Sequence, residues 1–168
     1  GEAATLPIAA LTAWSTLQEG GIKSGDTVLV QGTGGVALFA LQFAKLAGAH
    51  PIIAVDIQDH KLQVAAKYGA THTINSANED FSDAALKILG GARPDVVVDG
   101  TGVPAILEKA FALAGNFARV IGVGVMPYGP DVENTSSFGR AFASATSSFT
   151  FLTGSAGCVV MISGSALN

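Results

Sequence analysis

Cysteine is almost missing from this chain. Cys158 stands alone, so neither an intrachain disulfide nor a cysteine-cluster metal site can form. A reducing, cytoplasmic setting is the expectation that follows. Charge is scarce too: Asp, Glu, Lys and Arg together make up 13% of the 168 residues, about half the share of an ordinary soluble domain. The 9 Lys and Arg against 13 Asp and Glu leave a net charge of −4 and a pI of about 5.2. With no basic run, a phosphate-tracking groove for nucleic acid is excluded. No apolar stretch reaches the ~18 residues of a membrane span. The opening residues Gly1 to Pro7 lack a positive n-region, so they do not read as a signal peptide.

What the chain does have is apolar surface. Hydrophobic residues account for 49% and mean hydropathy is +0.46, which excludes disorder, because so apolar a chain can offset its ordering entropy by burial. The length points to one domain. The thin charge implies that part of the surface is covered by another domain or subunit. Glycine is abundant, at 21 residues, well above the usual ~7% share, and its placement is informative.

Leu6, Ala10, Trp14 and Leu17 follow helical spacing, from Thr5-Leu6-Pro7 as the start to Gly20-Gly21 as the stop. Thr27 to Gln31 is a continuous apolar strand of the kind buried on both faces. Gly32-Thr33-Gly34-Gly35 follows, then a helix over Val36 to Ala47. The pattern repeats: strand Ile52–Asp56, a helix from an Asp59 cap to Tyr68, strand Thr71–Asn75, helix Phe81–Leu89, strand Asp95–Asp99, helix Pro104–Leu113 and strand Ala118–Val123. Such alternation implies βαβ units with right-handed crossovers. The expected fold is α/β, a doubly wound, mostly parallel six-stranded sheet with helices on both faces. Residues 125–168 form an atypical Ser/Thr/Gly-rich end. There Ser137–Ala145 is predicted as a weak helix, Phe149–Leu152 as the sixth strand and Cys158–Ile162 as a candidate seventh. The expected organisation is one domain over 1–168, with an opening helix within 1–22, core βα repeats over 26–124 and the atypical end over 125–168.

Gly32-Thr33-Gly34-Gly35-Val36-Ala37 fits G-x-G-x-x-[G/A] between a strand and a helix. Gly32 permits the tight turn, Gly34 lets the backbone approach a pyrophosphate, and Ala37 lets helix and strand pack closely. The helix N-terminus then offers unpaired N–H groups to phosphates. By itself the motif is also met in small-residue turns that bind nothing. Asp56 adds context: it ends the next strand, about 20 residues past the loop, where a carboxylate bonds the ribose 2′-hydroxyl and repels a 2′-phosphate. This favours NAD over NADP. The competing reading of Asp56 is a strand-end cap for the following helix. Methyltransferases share a Gly-rich loop and an acid after the second strand, but constrain the third small residue less.

These residues resemble the nicotinamide-cofactor domain, a Rossmann fold, of the medium-chain dehydrogenase/reductase superfamily. That superfamily holds the zinc alcohol dehydrogenases and their zinc-free quinone-reductase relatives. The likeness runs from Ala4 to Gly124, through Leu6–Trp14, Gly25–Val36, Leu41–Lys45, Val55-Asp56-Ile57, Tyr68-Gly69-Ala70 and Val120-Ile121-Gly122. The resemblance implies that Thr12 lies beside the nicotinamide and that Gly34, Gly35 and Val36 with Gly32 hold the pyrophosphate. It further implies that Asp56 and Lys61 hold the adenosine ribose, that Thr101 and Gly102 form the loop after the fourth strand, and that Gly122 and Val123 hold the nicotinamide end. It implies a small alcohol, aldehyde, ketone or quinone substrate, and a homodimer through the sixth strand. The family's separate catalytic domain is not recognisable, and Ile8 stands near where a zinc-ligating cysteine is expected. His50, His60 and His72 lack metal-ligand spacing, so zinc is not supported and each histidine is expected at the surface.

The first functional expectation is therefore the NAD-binding domain of an alcohol dehydrogenase-like oxidoreductase, with no catalytic residue assigned. The alternatives are a zinc-free NADPH quinone or enone reductase, and a non-catalytic nucleotide-binding or oligomerisation module.

Overall fold

A computed structural model describes residues 6–123, 149–153 and 159–163. The helix expected over Ser137–Ala145, the Thr5 cap and Cys158 lie outside the described residues. Leu6–Ala10 forms a π-helical turn that runs on into α1, Leu11–Glu19. Four βα units and a fifth strand follow: β1 Val28–Gln31, α2 Gly35–Leu46, β2 Ile52–Asp56, α3 Asp59–Lys67, β3 His72–Asn75, α4 Phe81–Ile88, β4 Val96–Asp99, α5 Pro104–Leu113 and β5 Arg119–Gly122. Two further strands, β6 Phe149–Thr153 and β7 Val159–Ser163, complete the sheet.

The strand order is β3-β2-β1-β4-β5-β7-β6. β1 to β5 run parallel, with the switch of direction between β1 and β4. The doubly wound expectation holds, but the six-stranded count is corrected: among the described residues the sheet has seven strands. Val159–Ser163 enters between β5 and β6 and pairs antiparallel with both. Two apolar segments close in sequence pair most directly as antiparallel neighbours, so the seventh strand separates the sixth from β5.

β1, β2 and β4 are buried throughout, and their alternate residues feed two cores. Val28, Val30, Ala54, Val96, Val98 and Ile121 pack with Leu17 of α1, Leu41 of α2 and Leu62 of α3. Leu29, Ile53, Val55, Val97 and Val120 pack on the opposite face against Phe81 of α4 and Leu107 and Phe111 of α5.

One buried ion pair ties the opening helix to this sheet. The Arg119 guanidinium donates to the Gly20 and Gly21 carbonyls at 3.0 and 2.6 Å, and to Asp26 Oδ2 at 2.7 Å. A cation at a helix C-terminus satisfies its orphan carbonyls and complements its dipole. The N-terminal ends of the strands are thereby fixed, leaving the C-terminal ends to form the site.

Candidate nucleotide site

Four strand ends line the crevice at the direction switch. Gln31 is in register with Val55 and Asp99, and Asp99 with Gly122, while Asp56 ends β2 beside Asn75. Ligands of open α/β sheets bind outside such carboxyl ends at the switch point. Gly32 begins the turn out of β1 with φ +75°, and a Cβ there would sit 3.0 Å from Thr101 Cγ2. Glycine is thus required twice, by the left-handed backbone and by the close approach of the loop after β4. Gly34 is different. Its φ is −74° and an added Cβ would meet nothing within 4 Å. Neither backbone nor packing demands glycine at Gly34, so the space beside it is an open cradle.

Gly34 is also the N-cap of α2 and supplies no capping side chain. The first bond across the turn runs from the Leu38 N–H to the Gly34 carbonyl. The N–H groups of Gly35, Val36 and Ala37 precede it, where helices leave donors for an anion. No acidic residue stands in the first turn of α2 to compete. Gly34 and Gly35 are exposed, Val36 is half-buried, and Ala37 is buried beneath them. An added Cβ on Gly100 would lie 3.8 Å from the Ala37 Cβ, the close helix–strand packing expected of that small residue.

Asp56 is 8% exposed. Its Oδ2 accepts from the Thr33 N–H at 2.8 Å and the Thr33 hydroxyl at 2.7 Å. Its Oδ1 accepts from the Ile57 and Gln58 N–H groups at 2.8 and 3.1 Å. Burial pushes its pKa up, but the Thr33 hydroxyl, the Thr33 and Gln58 N–H groups and the Lys61 charge outweigh this and hold it below the usual carboxylate value. The cap expected at Asp59 is corrected: Gln58 occupies the N-cap of α3 and makes no side-chain cap bond. Asp59 Oδ1 instead accepts from Asn75 Nδ2 at 2.6 Å, and the turn before α3 is held by Asp56. Lys61 is half-buried on α3.

The loop after β4 is built the same way. Asp99 is 1% exposed. Its Oδ1 accepts from the Thr101 N–H and hydroxyl at 3.0 and 2.6 Å, and its Oδ2 from the Gly102 N–H at 3.3 Å. The Val123 N–H donates to the Asp99 carbonyl at 2.8 Å, joining the end of β5 to that loop. Gly122 and Val123 are half-buried. Ala9 in the π-helical turn comes within 3.9 Å of a Cβ placed on Gly35; Thr12 is half-buried in the adjoining first turn of α1. The structure thus brings the glycine loop, Asp56, Thr101, Gly102, Gly122 and Val123 to one sheet edge.

The residue that sequence reasoning missed is Gln31. Its carboxamide is 1% exposed, and neither Nε2 nor Oε1 has a hydrogen-bond partner among the described residues. A polar residue closing an otherwise apolar strand at the motif's edge was the available signal. The three histidines are exposed, and among the described residues no group of three His, Cys, Asp or Glu side chains could hold a metal ion. Ile8, 78% exposed, offers no donor atom, so these residues do not fit a catalytic zinc.

A profile of the zinc-binding dehydrogenase family matches residues 35–163. The chain belongs to this family. It is 44% identical over 117 residues to a zinc-type alcohol dehydrogenase-like protein of Schizosaccharomyces pombe, a match covering 67% of this chain and 34% of that protein. An alcohol dehydrogenase zinc-binding domain protein from Burkholderia ambifaria superposes with a TM-score of 0.70 at 32% identity, covering 82% of this chain and 37% of that one. A zinc-binding dehydrogenase from Sinorhizobium meliloti 1021 bound to NADP superposes at 0.69 with 29% identity, covering 80% and 40%. The chain spans about a third of the length of the curated relatives it matches. The family's fold, a Rossmann-type cofactor domain, is the one this chain adopts.

Proposed function

We propose that this zinc-binding dehydrogenase family member is the NAD(H)-binding part of an oxidoreductase acting on a small alcohol or carbonyl compound. The observation that carries the reading is the open cradle at Gly34, between β1 and the N-terminus of α2, with the Asp56 carboxylate at the end of β2. A Cβ on Gly34 would meet nothing within 4 Å, so a phosphate group can approach the backbone there, and the N–H groups at the start of α2 can meet its charge. Asp56 can bond a ribose hydroxyl and repels a 2′-phosphate. Gly122 and Val123, beyond Thr101 and Gly102, line the side toward which the nicotinamide would extend. Nicotinamide, when bound, supplies the carbon that gives or accepts a hydride; the protein supplies orientation and electrostatics. Substrate-side chemistry is not assigned to any residue of this chain, and the site sits in a reducing, cytoplasmic compartment in this reading.

A second reading, a zinc-free NADPH-dependent quinone or enone reductase, draws on the NADP held by the Sinorhizobium meliloti relative. The Asp56 charge weighs against it. Titration calorimetry with NADH and NADPH tests the choice. NADH should bind at least tenfold more tightly, about 1.4 kcal/mol; equal or tighter NADPH binding favours the second reading. Asp56→Ser should narrow the gap.

A further inference from the structure

The Asp56 carboxylate has about four acceptor positions, and all four are taken by the protein's own donors. Three of those donors are backbone N–H groups, of Thr33, Ile57 and Gln58, fixed by the turns at the ends of β1 and β2. The fourth is the Thr33 hydroxyl, 2.7 Å from Oδ2, and it alone can leave by rotation about a single side-chain torsion. Thr33 is 4% exposed and Asp56 8%, so the bond lies at the inner wall of the crevice.

We propose that Thr33 is a specificity-determining residue: its hydroxyl occupies the place on Asp56 Oδ2 that a ribose hydroxyl of the cofactor takes, and cofactor binding exchanges one for the other. The inference rests on the nucleotide reading above and deepens it. A hydroxyl suits this role because it can turn away about one torsion and leave the backbone bond to Oδ2 in place. A 2′-phosphate has no proton to offer Asp56, so it gains nothing from the exchange. The second residue of the glycine motif, ordinarily free to vary, thereby sets how much affinity Asp56 can give to a 2′-hydroxyl.

Thr33→Val keeps the branched shape and removes the donor. Oδ2 then keeps one N–H bond and has one open position in the free protein. NADH should bind the full chain about threefold to tenfold more tightly, the range of one ordinary hydrogen bond. NADPH affinity should stay unchanged, and Thr33→Ser should restore the original ratio. The pH profile adds a readout that packing does not move. With one donor lost, the Asp56 pKa rises toward its ordinary value, and the acid limb of NADH binding shifts to higher pH. Thr33→Ala opens the same position with a smaller side chain and serves equally if Thr33→Val folds poorly. An unchanged or weaker NADH affinity in a folded variant, with the acid limb fixed, overturns the inference and leaves the nucleotide reading standing. A wild-type chain that binds neither NADH nor NADPH overturns both.

Discussion

At Gly34 a side chain would enter empty space next to the α2 N-terminus. Gly34→Val should therefore abolish dinucleotide binding and leave the fold intact. Circular dichroism and NADH fluorescence read the two effects separately, and retained affinity would mean the loop is only a turn. Asp56 contributes to stability through its lowered pKa. A carboxyl held below its unfolded value of 3.8 stabilises fully above that value and loses the contribution as pH falls through the lowered one. Urea unfolding should show wild type and Asp56→Asn converging in stability below about pH 4. Gln31 presents the opposite case, a buried amide without partners. Gln31→Met should leave the unliganded chain as stable or more stable, by up to about 1 kcal/mol. At this scale the sequence disclosed residue types and spacing. It placed the glycine loop and Asp56 at one crevice, because loop and acid each end a buried strand. It could not disclose that Thr33 and Asp56 bond each other, since that contact depends on how two turns face one another across the sheet.

Between elements, a few polar contacts fix helices whose apolar faces would otherwise only slide. Arg119 joins the end of α1 to the start of β5 through Gly20, Gly21 and Asp26, and both charged side chains of the pair are largely buried. Arg119→Met leaves Asp26 and two carbonyls without this partner and should cost about 3 kcal/mol in chemical denaturation. Asp80 caps α4 by accepting from the Ser82 and Asp83 N–H groups, so Asp80→Ala should cost about 1 kcal/mol. The exposed Lys109–Asp80 pair adds less than about 1 kcal/mol, which Lys109→Ala would report. The elements were legible because apolar strands alternate with helices punctuated by Gly20, Gly48, Gly69 and Gly90. Caps were less so. Asp59 has the right residue type for a cap but lies one position too late, where Asn75 can engage it.

For the molecule as a whole, the number of strands was harder to read than their existence. Phe149–Thr153 and Val159–Ser163 both show as apolar runs, but no run states which neighbour it will take. Among the described strands β6 stands at the sheet's edge, where unpaired N–H and C=O groups invite a second chain. A two-fold pairing of β6 with its own copy should appear by light scattering as a dimer that Phe151→Lys splits, since a charge at such a seam is costly to desolvate. A monomer at high concentration, indifferent to that change, would rule it out. The insertion of β7 also governs the order of assembly. β1 to β4 find their partners within the first hundred or so residues of the chain, and β5 docks on β4 soon after. The other side of β5 waits for Val159 to Ser163. On the ribosome this pairing closes only once those downstream residues have emerged. Until then Arg119 to Gly122, the strand at the far wall of the crevice, is itself an open edge. A nascent chain halted before Val159 would display a cofactor crevice with one wall unsupported, and the same unpaired strand would be its most adhesive surface.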